Sequence, residues 1–478
     1  MRVEPFSVGP IIGACEPDSA RLFGRAAMTA FNLSGKAMLG RVRWRQAGQA
    51  DWQPAQAFRL NTNFDGSGVA VLHGLTPRTV HEYQAGWVLD ADAPASLLDW
   101  RALPIYRFRT APAERDAPAS LLLGSCSYRF FDLGGLISDD RADKTFKAMH
   151  AHQQQHGPVD FTMLCGDQVY ADPLNRLGAL SDEACYLQLY RRVFGQPGMR
   201  ELMANTPTYM ILDDHEIEDN WPAHASPADR IGKFPAAIKA YQIYQASHGP
   251  AMPLDPTGCW PDRDPDHLWY TFSHGCADVF VMDVRTERQL QGGKRDVRMI
   301  SAEQEQALLD WLATSTERVK LIVSPVVVFP DNRRLFRRSD AWEGFVHQRR
   351  RILDAVRRLN LRRVAFLSGD VHASLVASLH TRGHDGKPLT IHNVVSSGLF
   401  WPSALMAFRW YSPMIQSSGR LATGGLWSWN RYRVALCNRV YSRDAFARIE
   451  VSPAQLRFRL FDRRGDALPT HDVDVDWG

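Results

Sequence analysis

The chain has 478 residues, 45% of them hydrophobic and 23% charged, which excludes a disordered or fibrous protein and leaves room for two to four ordinary domains. A formal net charge of +4 lacks the concentrated excess of base that nucleic-acid binding needs, although arginines do cluster between Arg333 and Arg363. Seven scattered cysteines make no disulfide scaffold and read as reduced thiols, with Cys126 set apart below.

The opening MRVEPFSVGPIIGAC has neither the basic start and apolar block of an export signal nor a twin arginine. The expectation is therefore a cytoplasmic protein, or a periplasmic or secreted one from which a signal has been removed. No apolar run is long enough to span a bilayer. Up to about Pro112 the pattern is all-β: ARLFGRAAM, GRVRWRQ, GVAVLHGL and YRFRTAP are short strand patterns divided by Gly, Pro, Asp and Asn, as in a sandwich. The segment Gly74 to Trp87 resembles the corner of fibronectin-type sandwiches, a Leu-x-Pro turn before a strand carrying an aromatic.

From Ala119 strands alternate with helices, which predicts an α/β unit, and the stretch TAPAERDAPA marks the boundary: an N-terminal β-sandwich at 1–112 and an α/β unit at 113–478. Strand candidates are SLLLGSC, DFTMLCGD, TYMILDDHE, DVFVMDVR, VKLIVSP and RVAFLSGDVH, then ASLVASLH, TIHNVVSSG, ARIEVS and QLRFRLFD. In the helix SAEQEQALLDWL, Ser301 and Gln304 fit a capping box. In the helix from Gln348 to Asn360, Ile352, Leu353, Val356 and Leu359 line one side while Arg349, Arg350, Arg357 and Arg358 lie on the other. The aromatic SSGLFWPSALMAFRWYSP stretch reads as a lid or a packed loop.

Polar groups collect where the predicted strands end: GSC at Gly124 to Cys126, GDQVY at Gly166 to Tyr170, DDHE at Asp213 to Glu216 and SGDVH at Ser368 to His372. Each alone has an ordinary explanation as cap, turn or core residue. Together they bring carboxylate, thiol, phenol and imidazole to the edge where ligands bind in an open α/β sheet. So many acids in one place repel each other unless cations are bound among them.

These residues resemble the metallophosphoesterase superfamily, specifically its alkaline phosphatase D (PhoD-like) family. Gly166, Asp167 and Tyr170 match the tyrosine version of the Gly-Asp motif; Asp214, His215 and Glu216 match Asn-His-Glu with Asp in place of Asn; Gly369, Asp370 and His372 match Gly-His-x-His with Asp in place of the first His. Those departures fit the PhoD-like branch, as do GSC, the DVR at Asp283 to Arg285 and the DAWEGF at Asp340 to Phe345. The resemblance implies a two-sheet metallophosphoesterase-type α/β sandwich behind an all-β, fibronectin-like N-terminal domain. It implies that Asp167 bridges metals, that Cys126, Tyr170 and His372 complete a ferric (Fe3+) site, and that Asp214 and Asp370 hold a hard divalent ion such as Ca2+, with Mg2+, Mn2+ or Zn2+ as alternatives. Thiolate and imidazole suit a transition metal and carboxylates suit calcium or magnesium.

The implied activity is hydrolysis of small phosphate esters, monoesters or diesters, by metal-activated water, with His215 donating a proton to the leaving group or bonding a phosphate oxygen and Glu216 orienting it. Asp213 and Asn220 read equally as ligands, supporting groups or helix caps. Arg285 reads as a phosphate contact or a structural ion pair, and Trp342 as packing at the rim. SPVVVFPD offers no counterpart to the superfamily's isolated fourth histidine. Two alternatives stand beside this reading: a nuclease gripping a strand with the arginines from Arg333 to Arg363, and a metal-binding homologue without catalysis. Oligomeric state is not legible.

Overall fold

The computed structural model describes residues 1–27, 38–89, 94–129, 141–172, 180–254, 264–293, 296–332, 340–402, 415–422 and 431–477. Its N-terminal strands are β1 (Val8–Cys15), β2 (Ser19–Arg25), β3 (Leu39–Gln46), β4 (Gln56–Arg59), β5 (Ser67–His73), β6 (Val80–Val88) and β7 (Tyr106–Arg109). They make two antiparallel sheets, ordered β1-β2-β5 and β4-β3-β6-β7. Ile12, Leu22 and Leu72 of the first sheet and Val42, Tyr83 and Phe108 of the second share one core, so the two sheets form a sandwich.

The remaining elements are β8 (Ala119–Gly124), α1 (Arg141–His156), β9 (Phe161–Cys165), α2 (Glu183–Phe194), α3 (Pro197–Asn205), β10 (Thr208–Ile211), α4 (Pro227–Ile231), α5 (Lys233–Tyr241), β11 (Tyr270–His274), β12 (Ala277–Val281), α6 (Ala302–Ala313), β13 (Val319–Ser324), α7 (Val346–Arg358), β14 (Val364–Ser368), β15 (Leu375–Arg382), β16 (Pro388–Val395), β17 (Ser418–Arg420), β18 (Arg433–Leu436), β19 (Ala445–Val451), β20 (Gln455–Asp462) and β21 (Val473–Asp476). A six-stranded sheet runs β10-β9-β8-β19-β20-β21 and an eight-stranded sheet β11-β12-β13-β14-β16-β15-β18-β17. Within the first, β8, β9 and β10 are parallel; within the second, β12, β13, β14 and β16 are parallel.

Strand alternation explains the layering. Leu121, Leu123, Met163 and Ile211 point inward to meet Val279, Val281, Leu321, Val323 and Leu367 of the other sheet in one shared core. The residues between them point outward. Leu122, Leu164 and Met210 pack against α1, α2, α3 and α5, while Phe280, Ile322 and Phe366 pack against α6 and α7. The result is helix, sheet, sheet, helix, with the parallel strands of both sheets ending on one side. The sandwich is fixed to the outer helices by polar contacts. Tyr83 donates its hydroxyl to the Ala204 carbonyl at 2.6 Å, and Asp65 accepts from Arg25 Nε at 2.9 Å and from Arg191 Nε at 2.7 Å.

Three local expectations need correction. Ser301 does cap α6, accepting from the Gln304 backbone at 3.0 Å, but the Gln304 side chain does not return to close a capping box. It spans instead to the Asp283 backbone, accepting from N at 3.0 Å and donating to O at 2.9 Å, because that strand end would otherwise leave its polar groups buried and unpaired. Arg349 does not lie on the polar side of α7: it is 1% exposed and donates to Asp331 and to the Val328 and Ala422 carbonyls. β1, β4, β11, β17, β18 and β21 have no counterpart among the strand patterns read from the sequence; β1 holds a Gly-Pro break inside an apolar run, and β11 is set by pairing with β12. The tail of ARLFGRAAM and residues 403–413 of the aromatic stretch lie outside the described residues.

Candidate metal centre

The strand ends approach one another because their turns take left-handed backbone. Among the described residues, Cys126, Asp167, Asn220, Asp370 and His372 all have φ between 49° and 67°. Non-glycine residues adopt this conformation rarely, and its concentration at four separate turns re-aims side chains that a continuing strand would send to alternate faces. Main-chain hydrogen bonds lace the turns together: Cys126 N to Gly166 O, Ser127 N to Asp167 O, Ala171 N to His215 O and Phe400 N to Cys126 O. Gly166, with φ of 86°, passes so close to Asp213 that a Cβ there would lie 2.4 Å from the Asp213 Cβ. No side chain fits at that crossing.

Asp167 sits at the middle. Its Oδ2 accepts from the Cys126 thiol and from the Tyr170 hydroxyl, each at 3.3 Å. Ligand-type atoms of Cys126, Asp167 and His372 lie within 4.8 Å of one another, and so do those of Asp167, Asp214 and His215. Asp167 therefore belongs to both groups. His372 is held by its backbone N–H on Ser397 Oγ at 2.9 Å and by ring stacking on Trp401 at 3.9 Å, and Ser397 also donates to Cys126 Sγ at 3.2 Å. Trp401 contacts the Tyr128 and Tyr170 rings as well, at 5.2 and 5.7 Å. Asp370 lies close enough to act electrostatically on both Cys126 and Asp213.

The electrostatics are those of crowded acids. Burial, joined by Asp214, Asp213 and Glu216, pushes the Asp167 carboxyl well above its ordinary value against the pull of His215. Burial and the Asp167 charge likewise raise the Cys126 thiol and the Tyr170 phenol. Burial and Asp214 carry Asp213 up to about 8 despite its contact with Arg285. Such a cluster of acids has the donor chemistry to hold a cation.

In the third motif the structure reassigns two roles. Glu216 does not orient His215: its carboxylate accepts backbone N–H groups from Asp167 and Asp213 at 2.9 Å and from Gln168 at 2.7 Å, with Gln245 Nε2 at 3.1 Å. It is a clasp between two turns. The group that orients His215 is Asp172, fully buried, whose Oδ1 lies 2.7 Å from Nδ1. Sequence reasoning passed over Asp172, although it stands in the same GDQVYAD stretch; nothing in spacing alone separates it from a turn acid. The His215 ring also rests against Tyr170, 4.3 Å between centroids.

Arg285 is 0% exposed and makes structural ion pairs with Asp213, with Asp214 at 3.2 Å and with Asp340 at 2.6 Å, so it braces the acids from behind. Asn220 donates its backbone N–H to Asp214 Oδ2 at 2.5 Å. Trp342 is fully buried in the outer core and donates to Ser324 Oγ at 3.1 Å. Where the fourth histidine was sought, Val326, Val327 and Pro330 line a small apolar cleft beside Asp370. The arginine cluster is largely committed: Arg351 to Glu305, Arg362 to Asp385, Arg350 and Arg357 to Asp354, and Arg363 to the Glu317 carbonyl. Arg333, Arg334, Arg337 and Arg338 lie outside the described residues.

Two face-to-face sheets flanked by helices, with acids, cysteine, tyrosine and histidine meeting beyond their parallel strand ends, define a metallophosphoesterase-type fold. The model of the PhoD-like phosphatase family matches residues 136–404, more than half of the chain, and the chain belongs to that family. It is 25% identical over 280 residues to alkaline phosphatase D of Bacillus subtilis (strain 168), a match covering 49% of this chain and 47% of that protein; the chain thus spans about half the length of this relative. Among solved structures it resembles that of PhoD, with a TM-score of 0.71 at 18% identity over 98% of this chain and 89% of the other. It also resembles purple acid phosphatase PPD1 from yellow lupin (Lupinus luteus) seeds, with a TM-score of 0.58 at 11% identity over 99% and 74%. Both likenesses are of fold. No helix among the described residues is long and apolar enough to cross a membrane.

Proposed function

We propose that the chain hydrolyses phosphate monoesters and diesters at a metal centre built on Asp167. The observation that carries this reading is the meeting of Cys126, Tyr170 and His372 around one side of a single buried carboxylate, with Asp214 and His215 on the other. Cys126, Asp167, Tyr170 and His372 would hold a ferric ion, since thiolate, phenolate and imidazole suit a transition metal; Asp167, Asp214 and Asp370 would hold Ca2+ or another hard divalent ion. The donors fit: burial and neighbouring negative charge raise the Cys126 thiol, the Asp167 carboxyl and the Tyr170 phenol, and a cation among them would offset that penalty. When bound, such ions supply Lewis acidity toward the phosphoryl group and lower the pKa of water.

The chain's own residues do the rest. Asp172 fixes the tautomer and tilt of His215 through Nδ1, leaving Nε2 as the nitrogen that hands a proton to the departing oxygen. The Arg285 brace keeps Asp213, Asp214 and Asp340 in place without facing substrate. Glu216 holds the second and third turns at a fixed separation. The same proposal treats residues 1–112 as a supporting sandwich and 113–478 as the catalytic unit. Elemental analysis of protein produced without added metal, with assays on one aryl phosphate monoester and one diester, tests it. Iron together with a divalent ion and hydrolysis of the esters is expected; protein that carries no iron, or that carries it and cleaves neither ester, contradicts it.

A further inference from the structure

A second constellation of reactive side chains lies at the margin of the two large sheets and shares no residue with the metal centre. Along β15 (Leu375–Arg382) the inward positions run Val376, Ser378, His380, and along β16 (Pro388–Val395) they run Val394, His392, Thr390. Val376 and Val394 belong to the shared core, so each strand changes from apolar to polar as it leaves that core. Ser378 pairs directly with His392 across the ladder, and β18 (Arg433–Leu436) delivers Cys437 beside them, its N–H on the Val376 carbonyl at 2.8 Å. The three side chains form one chain of hydrogen bonds: Cys437 Sγ to Ser378 Oγ at 2.9 Å, and Ser378 Oγ to His392 Nδ1 at 2.9 Å. They line a pocket of about 420 Å³ together with Arg362, His380 and Asp476.

We infer that Cys437 is a reactive thiol, relayed through Ser378 to His392, and that the pocket admits a small disulfide with which it exchanges. Cys437 is exposed and Cys185 half-buried, whereas Cys15, Cys126, Cys165 and Cys276 are buried. His392 is 4% exposed, its ring braced by the Trp477 edge, and Nε2 makes no hydrogen bond among the described residues. The relay can reverse polarity. With S–H donating to Ser378 and O–H donating to Nδ1 the sulfur is a thiol; with N–H donating to Ser378 and O–H donating to sulfur the same atoms stabilise a thiolate, the proton having left from Nε2. The imidazole is neutral in both forms, consistent with burial and His380 lowering it to about 4. Burial holds the Cys437 thiol above its ordinary value, and the Ser378 hydrogen bond draws it only partly back.

In the exchange, Cys437 Sγ attacks one sulfur of the disulfide. A new S–S bond forms, the old one breaks, and the departing thiolate takes up the proton that Cys437 released, so one disulfide is consumed for each mixed disulfide made.

Treating the whole protein with oxidised glutathione and mapping adducts by peptide mass spectrometry tests the inference. The mixed disulfide is expected on Cys437 and absent in Cys437→Ser. Raising the thiol by one pKa unit costs about tenfold in thiolate and returns about threefold in nucleophilicity, so Ser378→Ala and His392→Gln should each slow the second-order rate about threefold or more. Ser378→Thr keeps the hydroxyl and should retain the rate, which a purely structural Ser378 does not predict. Adducts confined to other cysteines, or a Ser378→Ala or His392→Gln protein reacting as fast as the wild type, would overturn it.

Discussion

Asp65 and Asp167 are the same residue in nearly the same local state: both buried, at 5% and 2% exposure, and both left-handed, with φ of 58° and 57°. Their surroundings are opposite. Asp65 is gripped by Arg25, Arg191 and the Tyr244 hydroxyl, which outweigh burial and hold its carboxyl below the usual range. Asp167 faces a thiol, a phenol and further carboxylates, and its carboxyl is driven upward against the pull of His215. A buried acid that the protein itself satisfies is a joint between sandwich and helices; one surrounded by other potential anions has the surroundings of a cation ligand.

That contrast is sharpest if each acid is removed in turn. Asp167→Asn should strip the bound metal and abolish ester hydrolysis, read by elemental analysis and turnover, with the fold intact by circular dichroism. His215→Ala should lower turnover about 10²- to 10⁴-fold while leaving metal content unchanged, because it loses a proton donor and no ligand; metal lost together with activity would refute that division. Asp65→Ala should do the reverse, costing about 3–5 kcal/mol of stability in denaturant titration through the two stranded arginines, with the metal-to-protein ratio of the folded protein preserved. The Asp65 contribution also has a pH sign. Its folded value lies below the unfolded one, so its stabilisation is present above about pH 4 and disappears as pH falls through the folded value. The stability gap between wild type and Asp65→Asn should therefore narrow on acidification. Smallest is Asp172→Asn, which keeps the His215 ring but loosens it, for about 10- to 100-fold in turnover.

The sequence spelled out those parts of the site that depend on one residue at one turn. Gly166-Asp167, Asp214-His215 and Asp370-x-His372 are legible because a strand, a tight turn and a polar side chain follow one another within a few positions. What needs two distant turns was not. Glu216 looks like a partner for its neighbour His215, yet it reaches back across the crossing at Gly166 to close N–H groups that no local pattern reveals. Asp172 looks like a turn acid until the folded chain lays it against His215. Alternating strands and helices pointed to an α/β unit and the resemblance alone to its two sheets, whereas Arg349 defeated the helical pattern because Asp331 and two carbonyls supply inside what solvent supplies elsewhere.

The claim on which the rest hangs is that Cys126, Asp167, Tyr170 and His372 share one iron. Anomalous diffraction across the iron absorption edge, from crystals of protein produced without added metal, tests it directly. A single iron peak within bonding distance of Cys126 Sγ, an Asp167 oxygen, the Tyr170 oxygen and a His372 nitrogen is predicted; iron located elsewhere, or a well-ordered site with no iron peak among those four side chains, would contradict it.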